Sequence, residues 1–441
     1  MPQVFVGLIG CGTVGSGVAR LLVSRADAFS RRLGVPLHLK KVAEVDPARV
    51  QAAGVDPGLF TCRDRDILDD PAIDIVVELI GGVETARDLV LAAIERGKHV
   101  VTANKALLAL CGNDIFAAAA KAGVEVAFEA SVCGGIPIIL TLRQGLAANR
   151  IQELLGILNG TTNYILTQMS QHNLPYEQAL AEAQAQGFAE ADPTLDVEGV
   201  DAAHKLALLT ALAYGTRIDY NAVSVSGISQ IEPLDLQFAR EFGYAVKLLA
   251  ITREDGDRLA ARVHPTLIPR DHMLAGVSGA MNAVFITGDA VGSILLSGAG
   301  AGMMPTASAV VSDILDLTRN LSLGIKRRVP PLGSEAALTS TRAVKPMDEI
   351  ITNYYFRFAA LDRPGVLSQV AGVLGKYNIS IAAVIQKGRE VKGAVPIVMI
   401  THEAREADMK KALAEIDHLP VVSPPTVVYR IEDPHLHAAQ I

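Results

Sequence analysis

Val4-Phe5-Val6 runs into Gly7-x-x-Gly10-x-Gly12-x-x-Gly15, and then into a helix-like stretch from Ser16 to Leu22. The order is strand, glycine turn, helix. In such a turn Gly10 permits the tight bend, and Gly12 removes the side chain that would hold a pyrophosphate off the backbone. Gly15 lets helix and strand pack closely, with phosphates on the helix N-terminus. The expected ligand is a dinucleotide. A purely structural glycine turn is the bland alternative, and placement between a strand and a helix weakens it.

The alternation continues. Leu37 to Val45, Ile73 to Ile80, His99 to Ala103 and Val124 to Ala130 are apolar runs, with helix-length segments between several of them. The fold class is therefore α/β, a Rossmann-type doubly wound parallel sheet. Arg25, Arg31, Arg32 and Gly34 predict a lengthened first helix and exit. The second strand ends at Glu44-Val45-Asp46, where Glu44 is either a ribose ligand or a solvated acidic strand end.

The 441 residues allow two or three domains. Half the residues are hydrophobic, a fifth are charged and the net charge is -7, which predicts a globular chain and excludes nucleic acid and anionic membrane as partners. A small molecule is the expected partner. The first strand begins at once, leaving no room for a secretory segment, so the expected location is the cytoplasm. Ala290 to Ser312 is uncharged, but four glycines and Pro305 make it a buried strand, glycine turn and helix start rather than a membrane span. Cys11, Cys62, Cys111 and Cys133 have no zinc spacing and read as reduced structural thiols.

From Pro137 the alternation changes. Gly156 to Tyr164 is followed by helices and by strand-like stretches at Leu259 to Val263 and Ala283 to Thr287, which predicts an inserted α+β domain. Ala307 to Leu323 reads as a helix returning to the nucleotide sheet, and Pro330-Pro331 opens a linker. The tail runs from Tyr354-Tyr355-Phe356-Arg357-Phe358 through Asp362-Arg363-Pro364-Gly365. Val366, Leu367, Val370, Val373 and Leu374 follow on one helical face. With Ile379 to Ile385, Ala394 to Ile400, a helix near Glu403 to Ile416 and Thr426 to Ile431, this is a ferredoxin-like β-α-β-β-α-β module. The tail resembles an ACT domain. That resemblance implies a pocket for a regulatory amino acid around Asp362, Pro364, Gly365, Val366 and Leu367; a module that only assists assembly is the alternative. The expected division is 1–136 completed by about 305–330, then 137–304, a linker at 331–350, and 351–432.

Two places can carry chemistry. Thr102-Ala103-Asn104-Lys105 follows a strand at the carboxyl edge, where open α/β sheets bind ligands, although a lone lysine there is often merely solvated. Glu190-Ala191-Asp192-Pro193-Thr194-Leu195-Asp196 crowds acids into a loop after Gly187. The loop feeds a helix in which Asp201 and Lys205 are four apart, hence neighbours, just before an apolar run from Leu206 to Ala213. The pair is either a salt bridge at a helix start or a proton-transferring lysine held by a carboxylate, with acids for a substrate ammonium. Burial and the carboxylates pull the lysine in opposite directions. His204 reads as packing, and Ser131-Val132-Cys133-Gly134-Gly135 lacks the spacing and base of a hydrolytic nucleophile.

Six motifs in order resemble homoserine dehydrogenase, from Val4 to about Ile325: Gly-x-Gly-Thr-Val-Gly, Thr-Ala-Asn-Lys-Ala, Glu-Ala-Ser-Val-x-Gly-Gly-Ile-Pro, Asn-Gly-Thr-Thr-Asn-Tyr-Ile-Leu, Ala-Glu-Ala-Asp-Pro and Gly-x-Asp-Ala-x-x-Lys-Leu. With the ACT-like tail, the arrangement is similar to the stand-alone bacterial enzyme. The resemblance implies interconversion of L-aspartate 4-semialdehyde and L-homoserine with NAD or NADP, on the route to threonine, methionine and isoleucine. It implies Lys205 as proton donor, Lys105 in contact with substrate and nicotinamide, and Asp201 in support. Glu190, Asp196 and Gly187 would serve the substrate, and Gly10, Gly12, Thr13, Val14, Gly15, Glu44, Lys105 and Gly302 the cofactor. A monovalent cation, Na+ or K+, would sit at Glu129, Val132, Gly134 and Ile136.

The resemblance further implies an amino-acid effector at the tail, threonine first, and a homo-oligomer, dimer or tetramer. Two departures bear on the cofactor. Glu44-Val45-Asp46 stands where NADP-preferring relatives carry an arginine, with Lys40, Lys41 and Arg49 as nearby cations, and Gly298 to Met303 lacks a proline and a glycine common in the family. Another amino-acid dehydrogenase, such as one acting on aspartate, and a non-catalytic nucleotide and amino-acid sensor are the competing readings.

Overall fold

The computed structural model describes residues 3–334, 341–386 and 394–433. Strands β1 (Val4–Ile9), β2 (Leu37–Ala43), β3 (Phe60–Thr61), β4 (Ile75–Glu78), β5 (His99–Thr102) and β6 (Val126–Ala127) form a parallel sheet of order β3-β2-β1-β4-β5-β6. Its central strands are mostly apolar, with Val6, Leu8, Ile75, Val77 and Val101 fully buried, as helices on both faces require. The lengthened helical exit is two helices, Thr13–Ser24 and Ala26–Leu33, the second closed by Gly34 in the left-handed region. Helix Met303–Ser322 returns to this sheet and packs along Thr13–Ser24. The two approach so closely that a Cβ on Gly17 would lie 2.9 Å from the Ala307 Cβ.

A second sheet is built from β7 (Ile151–Ile157), β8 (Ser224–Val225), β9 (Tyr244–Asp255), β10 (Arg258–Pro269), β11 (Met281–Gly288) and β12 (Gly292–Ala299). Helices Gly160–His172 and Val200–Tyr214 cover it. The expectation of a buried strand in Ala290 to Ser312 is corrected. β12 is an edge strand, half-exposed along its length, because it pairs only with β11. Its glycines and serines suit that position.

The tail contains β13 (Ile351–Leu361), β14 (Ile381–Gln386), β15 (Ala394–Thr401), β16 (Ala404–Arg405) and β17 (Val422–Ile431), with helices Val366–Lys376 and Glu406–Ile416. The order β17-β13-β15-β14 is that of a ferredoxin-like module. One finding lay outside the alternation pattern. β17 pairs in parallel with β10, Thr266 opposite Arg430 and Leu267 opposite Ile431, so the tail extends the second sheet. Leu367 departs from its expected place on the buried helical face: it is 42% exposed, whereas Val366, Val370, Val373 and Leu374 are buried. Of the expected linker, 335–340 lie outside the described residues. Val344 bridges to Leu259, which ties the remainder to β10. No helix among the described residues is long and apolar enough to cross a membrane.

Candidate active site

The glycine turn has the geometry its sequence predicts. Gly10 has φ +94°, and a Cβ there would strike the Leu79 carbonyl carbon at 2.7 Å; one on Gly15 would strike the Gly10 carbonyl oxygen at 2.0 Å. At Gly12 the nearest atom to such a Cβ is the Arg49 guanidinium at 4.0 Å, which leaves open space before the amides of Thr13 and Val14 at the helix N-terminus. Two cavities continue from the turn. One of about 510 Å³ runs past Glu44, Val45, Arg49, Cys62 and Asp64, and one of about 420 Å³ runs past Thr13, Val14, Gly81, Gly82, Asn104 and Lys105. Leu79 and Ile80 line both. Glu44 is turned into the protein: its carboxylate accepts from the amides of Cys11 (2.6 Å), Val45 (2.9 Å) and Asp46 (3.3 Å). Arg49 stands above it, 4.0 Å from Glu44 and 3.7 Å from Asp46. Gly302, φ +114°, opens helix Met303–Ser322.

Lys105 is the first residue of helix Lys105–Ala122, held at the edge of β5 by Asn104, whose side chain accepts from the Leu107 amide at 3.1 Å. Its ammonium reaches Asp201 Oδ1 at 2.7 Å. Asp201 Oδ2 accepts from Lys205 Nζ, also at 2.7 Å, and Lys205 gives a further hydrogen bond to the Leu158 carbonyl at the end of β7, 2.7 Å away. One carboxylate thus bridges two lysines. Asn159 binds Asp201 Oδ2 (2.9 Å) and Asp196 Oδ1 (2.7 Å) with the same amide nitrogen. Asn282 on β11 donates to the Leu158 carbonyl at 2.9 Å, while its own buried Oδ1 has no partner. Burial alone would raise the Asp201 carboxyl, but the Lys205 and Lys105 ammoniums hold it well below the usual carboxylate range. Burial opposes the Lys205 charge; Asp201 outweighs it and raises the ammonium above its ordinary value. Asp196 goes the other way, pushed up by burial and by Asp201.

The structure brings Lys105, Asp201, Lys205 and Asp196 together. Glu190 and Gly187 lie on the exposed loop beside them, tied to the helix start through the Thr161 hydroxyl, which donates to the Phe188 carbonyl at 2.6 Å; the Glu190 carboxylate makes no contact with the lysines. The His204 ring packs at a tilt against Tyr220, centroids 4.6 Å apart. Sequence reasoning missed two residues. Asn159 stood inside a quoted motif, as the cap of helix Gly160–His172, and Asn282 is the lone amide in an otherwise apolar strand.

Glu129 accepts from the amides of Ile139 (2.8 Å) and Leu140 (2.7 Å), and its own amide donates to Asp313 (2.9 Å). Loss of water and the Glu129 charge push the Asp313 carboxyl up to about 8. Ile136 is tied back to the Cys133 carbonyl at 3.0 Å, while the carbonyls of Val132 and Gly134 accept no hydrogen bond among the described residues. The Val132 and Gly134 carbonyls are therefore oxygen donors of the kind a hard, weakly charged cation takes, while both Glu129 carboxylate oxygens are engaged by amides. No cluster of three or more His, Cys, Asp or Glu among the described residues can hold a metal.

Known proteins resemble this chain along its whole length. Residues 10–129 match the homoserine dehydrogenase NAD-binding domain, 137–315 the homoserine dehydrogenase domain and 354–420 the ACT domain. The chain is 46% identical over 436 residues to a homoserine dehydrogenase of Neisseria gonorrhoeae, covering 99% of this chain and 100% of that one. It is 46% identical over 433 residues to that of Pseudomonas aeruginosa, covering 98% and 99%. The crystal structure of a homoserine dehydrogenase from Thiobacillus denitrificans superposes with a TM-score of 0.93 at 46% identity, over 98% of this chain and 99% of that one. From nucleotide turn to tail, the chain belongs to the homoserine dehydrogenase family.

Proposed function

We propose that this chain interconverts L-aspartate 4-semialdehyde and L-homoserine with NAD(P)(H), and that Lys205 is the proton donor to the substrate oxygen. The observation that carries the assignment is Asp201 shared between Lys105 and Lys205 at the mouth of the nucleotide cleft. Thr13, Gly82 and Lys105 line the cavity that would hold a nicotinamide, which when bound would supply the hydride to the aldehyde carbon. Lys205 then protonates the alkoxide that forms. It suits that task because Asp201 keeps it charged, and the Leu158 carbonyl and Asp201 fix its direction. Lys105, its side chain 41% exposed, faces the cleft and stabilises the developing negative charge. Glu190 and Asp196 take the substrate ammonium, with Gly187 permitting the loop, φ +74°.

Dual use of NAD and NADP is our reading of the adenosine end. Glu44, tied up by three amides, does not face a 2′-phosphate with a free charge, and Arg49 supplies a cation beside Gly12. A monovalent cation held by Glu129 and the carbonyls of Val132, Gly134 and Ile136 would order the turn that precedes Ile138. In the tail, the turn at Asp362 and Pro364 to Leu367 takes an amino acid, threonine first, in a homo-oligomer whose tails pair. The division 1–136 with 305–330, 137–304, 331–350 and 351–432 and a cytoplasmic location belong to the same proposal.

The test is homoserine-dependent reduction of NAD and NADP at alkaline pH, where the donor is more easily deprotonated, with and without threonine. Lys205→Ala is expected to lose a factor of about 10² to 10⁴ in kcat. Undiminished turnover in that variant would overturn the assignment of Lys205.

A further inference from the structure

Along the C-terminal half of helix Gly160–His172, a cavity of about 400 Å³ opens between that helix, helix Pro233–Glu241, the start of β9 and the loop after β10. Its charged lining is of one sign. Arg240, Lys247 and Arg270 line it together with Thr167, Ser170, Gln171, Tyr244 and Ser278, and no carboxylate does among the described residues.

Lys247 is the informative residue. It is 5% exposed, and its ammonium donates to two neutral acceptors, Asn163 Oδ1 at 3.2 Å and the Val277 carbonyl at 2.5 Å. An ammonium has three N–H groups, so one is unspent. A buried lysine ordinarily has a carboxylate partner, as Lys205 has Asp201, because an unpaired charge inside a protein is costly. Here burial pulls the Lys247 ammonium down to about 8, with no neighbouring carboxylate to restore it. The Arg270 guanidinium makes no hydrogen bond or ion pair with the described residues. Arg240 uses one nitrogen to cap the carbonyl and hydroxyl of Ser170, which leaves the rest of its fork unspent. Tyr244, which lines the cavity, donates its hydroxyl to Asp433 at 3.4 Å.

We propose that this cavity is a binding site for a small oxyanion-bearing metabolite, phosphorylated or carboxylated, held by Lys247, Arg240 and Arg270. The volume fits a small molecule rather than a bare ion, and two arginine forks with a buried ammonium match the oxygens of either group. Asn163, which receives the Lys247 hydrogen bond, is one helical turn after Asn159, so an occupant would brace the same helix that presents Asn159 to Asp201 and Asp196.

The test is calorimetric titration of the full-length protein with inorganic phosphate and, separately, with succinate, NAD being saturating so that the pyrophosphate cradle is filled. Arg270→Ala removes an exposed side chain, and Lys247→Met keeps the volume of the buried one; thermal melting without ligand establishes that each is folded. Saturable binding of either anion, weakened at least tenfold in Arg270→Ala and in Lys247→Met, is the expected result. The tighter of the two anions identifies the phosphoryl or carboxyl source. No binding at tens of millimolar, or binding that both folded variants retain, would overturn the proposal, the latter as an adventitious ion only.

Discussion

In the cleft one carboxylate, Asp201, is shared by two lysines; at the seam where the tail joins the second sheet one carboxylate, Glu432, is shared by two arginines. Arg262 and Glu432 are each 3% exposed in their side chains, and Arg253 spans from Glu432 on the tail to Glu153 on β7. Arg262 also donates to His264 at 3.2 Å, and burial, with Arg430 and Arg262 nearby, drives the His264 pKa well below its ordinary value. The two clusters share a plan and differ in material. Lysine gives up a proton and arginine in effect never does. The cleft cluster is open at one end, Lys105 being 41% exposed against 10% for Lys205, whereas at the seam Arg262 and Glu432 are buried and Arg253 is 30% exposed. The cluster assigned to proton transfer is built from lysine and left accessible at one end; the one that joins tail to sheet is built from forks around a buried carboxylate.

The sharpest way to break the comparison is to put the seam's material in the cleft. Lys205→Arg keeps the charge beside Asp201 and removes the transferable proton. Turnover should fall by a factor of about 10² to 10⁴ in kcat, as for the alanine variant, while thermal stability changes little. If Lys205→Arg keeps wild-type kcat, Lys205 acts by charge alone.

The seam should respond in stability rather than rate. Glu432→Leu leaves Arg262 buried without a counter-charge, and a loss of about 3–5 kcal/mol is expected in urea unfolding. Acid gives a milder version of the same break. The two arginines overcome burial and lower the Glu432 carboxyl from 4.5 to about 2. A group depressed in the folded state contributes stability above its unfolded pKa and loses it as pH falls through the folded value. The seam's share should therefore disappear between about pH 4.5 and 2. Glu432→Gln should flatten that part of the profile of unfolding free energy against pH. An unchanged acid profile in Glu432→Gln would mean that the seam does not couple the tail to the sheet.

How much of this was legible in the sequence follows from distance along the chain. The glycine turn was legible because its strand, turn and helix are consecutive in the chain, although the backbone that Gly10 makes room for, at Leu79, is distant in sequence; Asp201 with Lys205 was legible because four residues make one helical turn. Lys105 was placed on the right sheet edge, but nothing in its neighbourhood names Asp201 as its partner; that contact needs the whole nucleotide sheet laid against helix Val200–Tyr214. Asn282 carries only the weak signal of an amide in an apolar strand. The seam was illegible altogether. β17 alternates like any strand of a ferredoxin-like module, and only two register pairs join it to β10. The choice of edge is made by Glu432, Arg253 and Arg262, which as isolated charges look like solvated surface.

The smallest effect comes from the reverse exchange, Arg253→Lys. The guanidinium reaches Glu153 through Nε at 2.8 Å and Glu432 through a second nitrogen at 3.0 Å, so its width bridges two carboxylates, one on β7 and one just past β17. An ammonium is a point charge. It keeps the attraction to one acid and lacks the span for both. Because the Arg253 side chain is still 30% exposed, water compensates part of the lost contact, and the expected cost is about 1 kcal/mol in urea unfolding with kcat and KM unchanged. The same swap in opposite directions thus separates the clusters: lysine to arginine stops the chemistry and spares the fold, while arginine to lysine loosens the fold and spares the chemistry. A fall in kcat in Arg253→Lys would erase that separation. The tail would then act on the cleft through Glu153, since β7 carries both Glu153 and, at its end, the Leu158 carbonyl that directs Lys205.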